Sequence, residues 1–103
     1  MKQDSPLDKL RDHATDAAAT LRILANPDRL LMLCRMSTGE VSVGELVDLT
    51  GLAQPTVSQH LSVLREAGAV APRAEAQTRF YRIADEQVTA IIDALCRVYG
   101  SEK

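Results

Sequence analysis

Aromatic side chains are scarce in this chain: its 103 residues hold Phe80, Tyr81, Tyr99 and no tryptophan. The core therefore has to be assembled from Leu, Val, Ile and Ala. A domain of this size buries a modest share of its surface, so self-association would help it. Cysteine is nearly as scarce. Cys34 and Cys96 are too few for a disulfide framework and sit inside apolar helical patterns, as expected of a cytoplasmic protein with resting thiols. No apolar run approaches the roughly 18–20 residues of a membrane span. The opening MKQDSPLDKL has no apolar stretch of the kind a secretory signal needs, so no membrane partner is expected. The two histidines, His13 and His60, fall in separate segments away from either cysteine, whereas a transition-metal site needs three or four such ligands. No metal and no cofactor are expected. Phosphate-binding glycine loops, activated nucleophiles and paired carboxylates in a plausible cleft are missing as well, which argues against an enzyme.

A general excess of positive charge is also lacking, since the net charge is −2. The distribution matters more than the total. Residues 54–84 carry Arg65, Arg73, Arg79 and Arg82 against Glu66 and Glu75, net +2, while the segments on either side are each net −2. Two charges make a weak electrostatic footprint, but its sign suits a polyanion.

What the sequence does have is a helix–turn–helix pattern over residues 43–67, within VGELVDLTGLAQPTVSQHLSVLREAG. Val43, Leu46 and Val47 recur at helical spacing. Gly51 stands where that helix ends and positive φ is needed. Pro55 fits the first turn of a second helix, Gln54–Ala67, whose buried stripe is Val57, Leu61 and Leu64. The opposite side presents Thr56, Gln59, Ser62 and Val63, with Ser58 and His60 on the flanks. Short hydroxyls and amides, with no acid before Glu66, are what a helix entering the major groove needs. The same pattern also occurs in small helical domains that never touch DNA.

The rest of the chain reads as a frame for that unit, in one domain spanning 1–103. Ser5-Pro6 opens a helix of about residues 6–25 carrying a seam of Leu7, Leu10, Ala14, Ala17, Leu21 and Leu24. Asn26-Pro27-Asp28 breaks it and starts another, apolar nearly all round from Leu30 to Met36 and so expected to be buried. Glu40–Ser42 is a short extended segment. After Gly68 the period changes to two strands, Ala69–Arg73 and Thr78–Ile83, joined by Ala74–Gln77: a wing over residues 69–83. Arg73, Gln77 and Arg79 at its tip are placed to meet the DNA backbone, although a solvated hairpin would look the same. Asp85 caps a last helix of about residues 85–99 with a stripe of Val88, Ile92, Leu95 and Tyr99. Two terminal amphipathic helices around one reading head fit a homodimer on an inverted-repeat operator in double-stranded DNA.

This order, mainly α with a small β-hairpin wing (α1-α2-β-α3-α4-β-β-α5), resembles the ArsR/SmtB family of winged helix-turn-helix repressors. The matching stretches are LRILANPDRLLMLCRM (Leu21–Met36), LTGLAQPTVSQHLSVLREAGAV (Leu49–Val70) and AQTRFYRI (Ala76–Ile83). The resemblance covers residues 7 to 100 and is nearest to the thiol-based, BigR/SqrR/YgaV/HlyU-like branch. It implies a DNA-binding repressor with Gln54, Thr56, Ser58, Gln59 and His60 at the DNA, and Arg73, Gln77 and Arg79 in the wing. It also implies a thiol sensor at Cys34, whose partner position in the branch corresponds to Gly100. Cys96 stands four residues earlier, on nearly the same helix face but about 6 Å back along the axis. That offset sets a plain disulfide in question and would be tolerated by a longer polysulfide bridge. The family's metal sensors carry Cys-x-Cys where this chain has Val43-Gly44-Glu45. Three functions stay open: a thiol-regulated repressor, a winged-helix repressor with inert cysteines, and a winged helix that only binds protein.

Overall fold

A computed structural model describes residues 5–100. The first four residues of the leader reading, and both ends of the expected 1–103 domain, lie outside the described residues. Helix α1 (Pro6–Leu24) starts at Ser5, whose hydroxyl accepts the Asp8 N–H at 3.1 Å. Helix α2 (Pro27–Met36) starts at Asn26, whose Oδ1 accepts the Arg29 N–H at 3.0 Å. In both, proline occupies the first helical turn, where a missing N–H leaves nothing unsatisfied.

Strand β1 (Val41–Ser42) leads into α3 (Val43–Thr50) through a reciprocal cap. Ser42 Oγ accepts from the Glu45 N–H at 3.1 Å, and Glu45 Oε1 accepts from the Ser42 N–H at 2.9 Å. The backbone N–H of Ser42, helped by Arg35, holds the Glu45 carboxyl below its ordinary pKa range. Gly51 ends α3 at φ 72°, where a Cβ would be strained. Helix α4 (Gln54–Glu66) follows and closes one residue short of the expected Ala67.

The wing is longer and its turn tighter than the sequence pattern indicates. Strands β2 (Val70–Glu75) and β3 (Thr78–Ile83) pair antiparallel from Val70↔Ile83 to Glu75↔Thr78. The expected four-residue link is thus two residues, Ala76 and Gln77, with Ala76 at φ 57°. Pairing continues to the hairpin's end because solvated polar side chains there accept the extended backbone as readily as a loop. Strand β1 adds to the far edge of β3 through Val41↔Tyr81, giving the order β1-β3-β2. Helix α5 (Glu86–Tyr99) is capped by Asp85, whose Oδ1 accepts the Gln87 N–H at 2.8 Å.

The core lies where α2, α3, α4, α5 and the base of the sheet meet. Met32, Leu33, Leu46, Val57, Leu61, Leu64, Val41, Tyr81, Val88 and Ile92 fill it, an aliphatic core with one aromatic ring. Helix α2 is buried on one side only: Leu31 is exposed while Met32, Leu33 and Met36 are inside. Among the described residues of α1, Leu24 alone is buried, so this helix is held chiefly by its last turn. Leu7, Leu10 and Leu21 are more than half exposed. Among the described residues, no helix is long and apolar enough to cross a membrane.

Candidate nucleic-acid interface

Helix α4 and the wing enclose an open groove of about 850 Å³. Gln54, Ser58, Ser62 and Arg65 line it from α4, and Gln77, Thr78, Arg79 and Tyr81 from the wing. The α4 residues are spaced 4, 4 and 3 apart, so they stack on one helical face. Their register is fixed from behind by Val57, Leu61 and Leu64, all buried. No acid lies in the first turn of α4, so the donors there face solvent without a competing negative charge. Arg65 and Arg79 supply the groove's positive charge, and Asp48 of α3 also lines it. Thr56 and Gln59 are exposed on α4 outside the lining of the groove. Ser62 and Arg65 stand outside the sequence-expected set. A helical spacing of 4, 4 and 3 from Gln54 would have found them.

Two expected DNA contacts are engaged elsewhere. Arg73 is exposed, but its guanidinium is spent on acids of the same chain. Its Nε lies 3.1 Å and 3.0 Å from the two Glu40 oxygens. One terminal nitrogen is 2.8 Å from Glu40 and the other 2.9 Å from Glu75. The same group sits 4.9 Å from the centre of the Phe80 ring. The Arg73 hydrogen bonds hold the Glu40 carboxyl below its ordinary range, and Glu40 and Glu75 raise the Arg73 pKa in return. Arg73 therefore braces the wing against the segment before β1, and its two-residue spacing from Glu75 puts both side chains on the same side of β2. His60 is half-buried on the flank of α4 away from the groove, with Nδ1 3.3 Å from Arg29 of α2.

The expected self-association stripe is also divided. Leu7, Leu10, Ala14, Leu21 and Tyr99 are exposed, and Ala17 and Leu95 are half-buried. Val88 and Ile92 are 2% and 1% exposed: they belong to this chain's own core and are unavailable to a partner. Period alone could not separate them, because α5 uses one side of a single apolar stripe inward and its C-terminal end outward.

Cys34 on α2 and Cys96 on α5 are joined in a disulfide, with Cα atoms 6.6 Å apart. The expectation of two resting thiols gives way here, and so does the doubt about reach. Helix α5 ends at Tyr99, so Gly100 is already past the last turn, while Cys96 lies where the two helices pack. Leu30, Leu31, Ile92, Leu95, Tyr99 and Gly100 surround the pair in an apolar groove of about 340 Å³.

Helix-turn-helix, hairpin wing and amphipathic end helices together define a winged helix-turn-helix protein of the DNA-binding class. The family model for "Bacterial regulatory protein, arsR family" matches residues 26–71, which run from the cap of α2 into β2. The biofilm growth-associated repressor of Agrobacterium fabrum is 45% identical over 94 residues, covering 91% of this chain and 80% of that protein. The solved structure of reduced HlyU from Vibrio cholerae superposes with a TM-score of 0.86 at 40% identity, covering 90% of this chain and 98% of that one. A homodimeric winged helix-turn-helix DNA-binding domain from Mycobacterium bovis matches with a TM-score of 0.73 at 30% identity, over 95% of this chain and 89% of that one. This chain belongs to the arsR family of bacterial regulatory proteins. Its relatives are transcriptional regulators, not enzymes.

Proposed function

We propose that this chain is a cytoplasmic homodimeric repressor that reads an inverted repeat in double-stranded DNA and releases it when Cys34 and Cys96 are oxidised. The observation that carries the DNA reading is the α4–wing groove, whose polar α4 face and two arginines, Arg65 and Arg79, suit a base edge flanked by phosphates. In this reading Gln54, Thr56, Ser58 and Gln59 meet bases and nearby phosphates, and Gln59 reads directly, since an amide can pair bidentately with adenine. Arg79 and Gln77 anchor the wing to the backbone. Arg73 and His60 support these elements instead of touching DNA. The unpartnered leucines of α1 and the exposed Tyr99 of α5 favour a second copy as partner. A homodimer among the similar structures points the same way. Two reading heads on one duplex face imply half-sites about one helical turn, roughly 10 bp, or a multiple apart.

The redox reading rests on a bond that ties α2, which precedes the reading head, to α5. Making or breaking it changes how firmly those helices are held, and with them the spacing of two reading heads. The expected result of footprinting the reduced protein on its own promoter is paired protection, with log K falling linearly in log salt. Protection is expected to vanish after polysulfide or peroxide treatment. A chain that bound no duplex DNA in either state would be a protein-interaction module. One that bound equally well in both would be a repressor whose signal lies elsewhere.

A further inference from the structure

One guanidinium gathers three helices. Arg29, in the first turn of α2, donates from Nε to the carbonyl of Ile23 in the last turn of α1 at 2.7 Å. Its NH1 meets Nδ1 of His60, midway along α4, at 3.3 Å. Its own backbone N–H is held by the Asn26 cap. Guanidinium has donors only, so in this contact Nδ1 of His60 is the acceptor. Both side chains are half-buried, where a polar group left without its partner is penalised more than in water.

The position of this contact matters more than its strength. Among the described residues of helix α1, Leu24 is the one fully buried, with Ile23 packed on the core beside it, so its last turn holds it most firmly to the body. The groove face of α4 looks outward, and His60 is on the flank turned toward α2. We propose that Arg29 and His60 are positioning residues that fix the angle between the end of α1 and the recognition helix, and so the distance between the two reading heads of a dimer. This deepens the DNA-reading function proposed above and rests on it. Neither residue needs to touch a base. Their effect falls on the match between protein and half-site spacing, so sequence-selective binding depends on them and binding to arbitrary duplex does not.

The test uses the full chain and a duplex selected from a random library by the wild-type protein, with a scrambled duplex as control. Arg29→Met and His60→Leu should each weaken the selected duplex about tenfold, and the double variant about tenfold again in total, not a hundredfold, because they remove one interaction. Binding to the scrambled duplex should not change, and ultracentrifugation should show the same oligomer. His60→Asn keeps an acceptor where Nδ1 stands and should bind as wild type at pH 7.5. Where Arg29→Met fails to fold, the two His60 variants carry the comparison. Multiplying losses, equal losses on both duplexes, or an unaffected His60→Leu would overturn the coupling. Failure of wild type to select any sequence would overturn the DNA-reading function itself.

Discussion

The wing holds two arginines near its tip whose surroundings give opposite expectations. Each phosphate neutralised by a protein cation contributes about 0.9 to the slope of log K against log salt. Arg79 lines the groove and makes no ion pair or side-chain hydrogen bond among the described residues, so it is free to act as such a cation. Arg79→Ala should lower the slope by about 0.9, which over a fourfold rise in salt is a difference of about 3.5-fold in affinity retained. Arg73 is already neutralised by Glu40 at 2.8 Å and Glu75 at 2.9 Å. Arg73→Ala should therefore leave the slope nearly unchanged. Glu40→Gln removes its bidentate partner and should strengthen binding to any duplex while steepening the slope. Fluorescence anisotropy of a labelled duplex between 50 and 200 mM salt reads all three variants. The reasoning fails if Arg73→Ala flattens the slope as much as Arg79→Ala does.

Replacing Leu10 and Leu21 together by lysine should give monomers by ultracentrifugation with the fold intact by circular dichroism, because both side chains are more than half exposed in a single chain. Cys34→Ser and Cys96→Ser should each make DNA affinity indifferent to oxidant. The oxidised wild type should melt higher than the reduced, since closing a loop across 62 residues is worth up to about 4 kcal/mol. Ser42→Ala removes the α3 cap and should cost about 1 kcal/mol by urea titration. Glu40 and Glu45 both have carboxyl pKa values lowered by folding. The folded state thus binds fewer protons there than the unfolded one. Their contribution is fully present above the ordinary carboxylate range and is lost as pH falls through the lowered values, so stability measured from pH 6 to pH 3 should decline on the acid side, and less steeply in Glu40→Gln.

Local chemistry made most of the frame readable from the sequence. Ser5, Asn26, Ser42 and Asp85 start helices because their side chains satisfy free N–H groups within three residues, and Gly51 ends one because its φ is positive. The stripe Val57–Leu61–Leu64 fixed which side of α4 faces out, and the change of period after Gly68 marked the wing. Partnership between distant residues was a different matter. Arg73 looked free until folding brought Glu40 from 33 positions away, and His60 had no visible partner until folding set Arg29, 31 positions away, against its Nδ1. Val88 and Ile92 shared a stripe with Tyr99, yet only the packing of α5 on α2 determined which end turned inward. Cys34 and Cys96 met because α2 and α5 pack together and bring their Cα atoms to 6.6 Å. Sequence spacing sets which residues share a helix face or a strand side, whereas the choice of what that face meets is made by the three-dimensional closure of the chain.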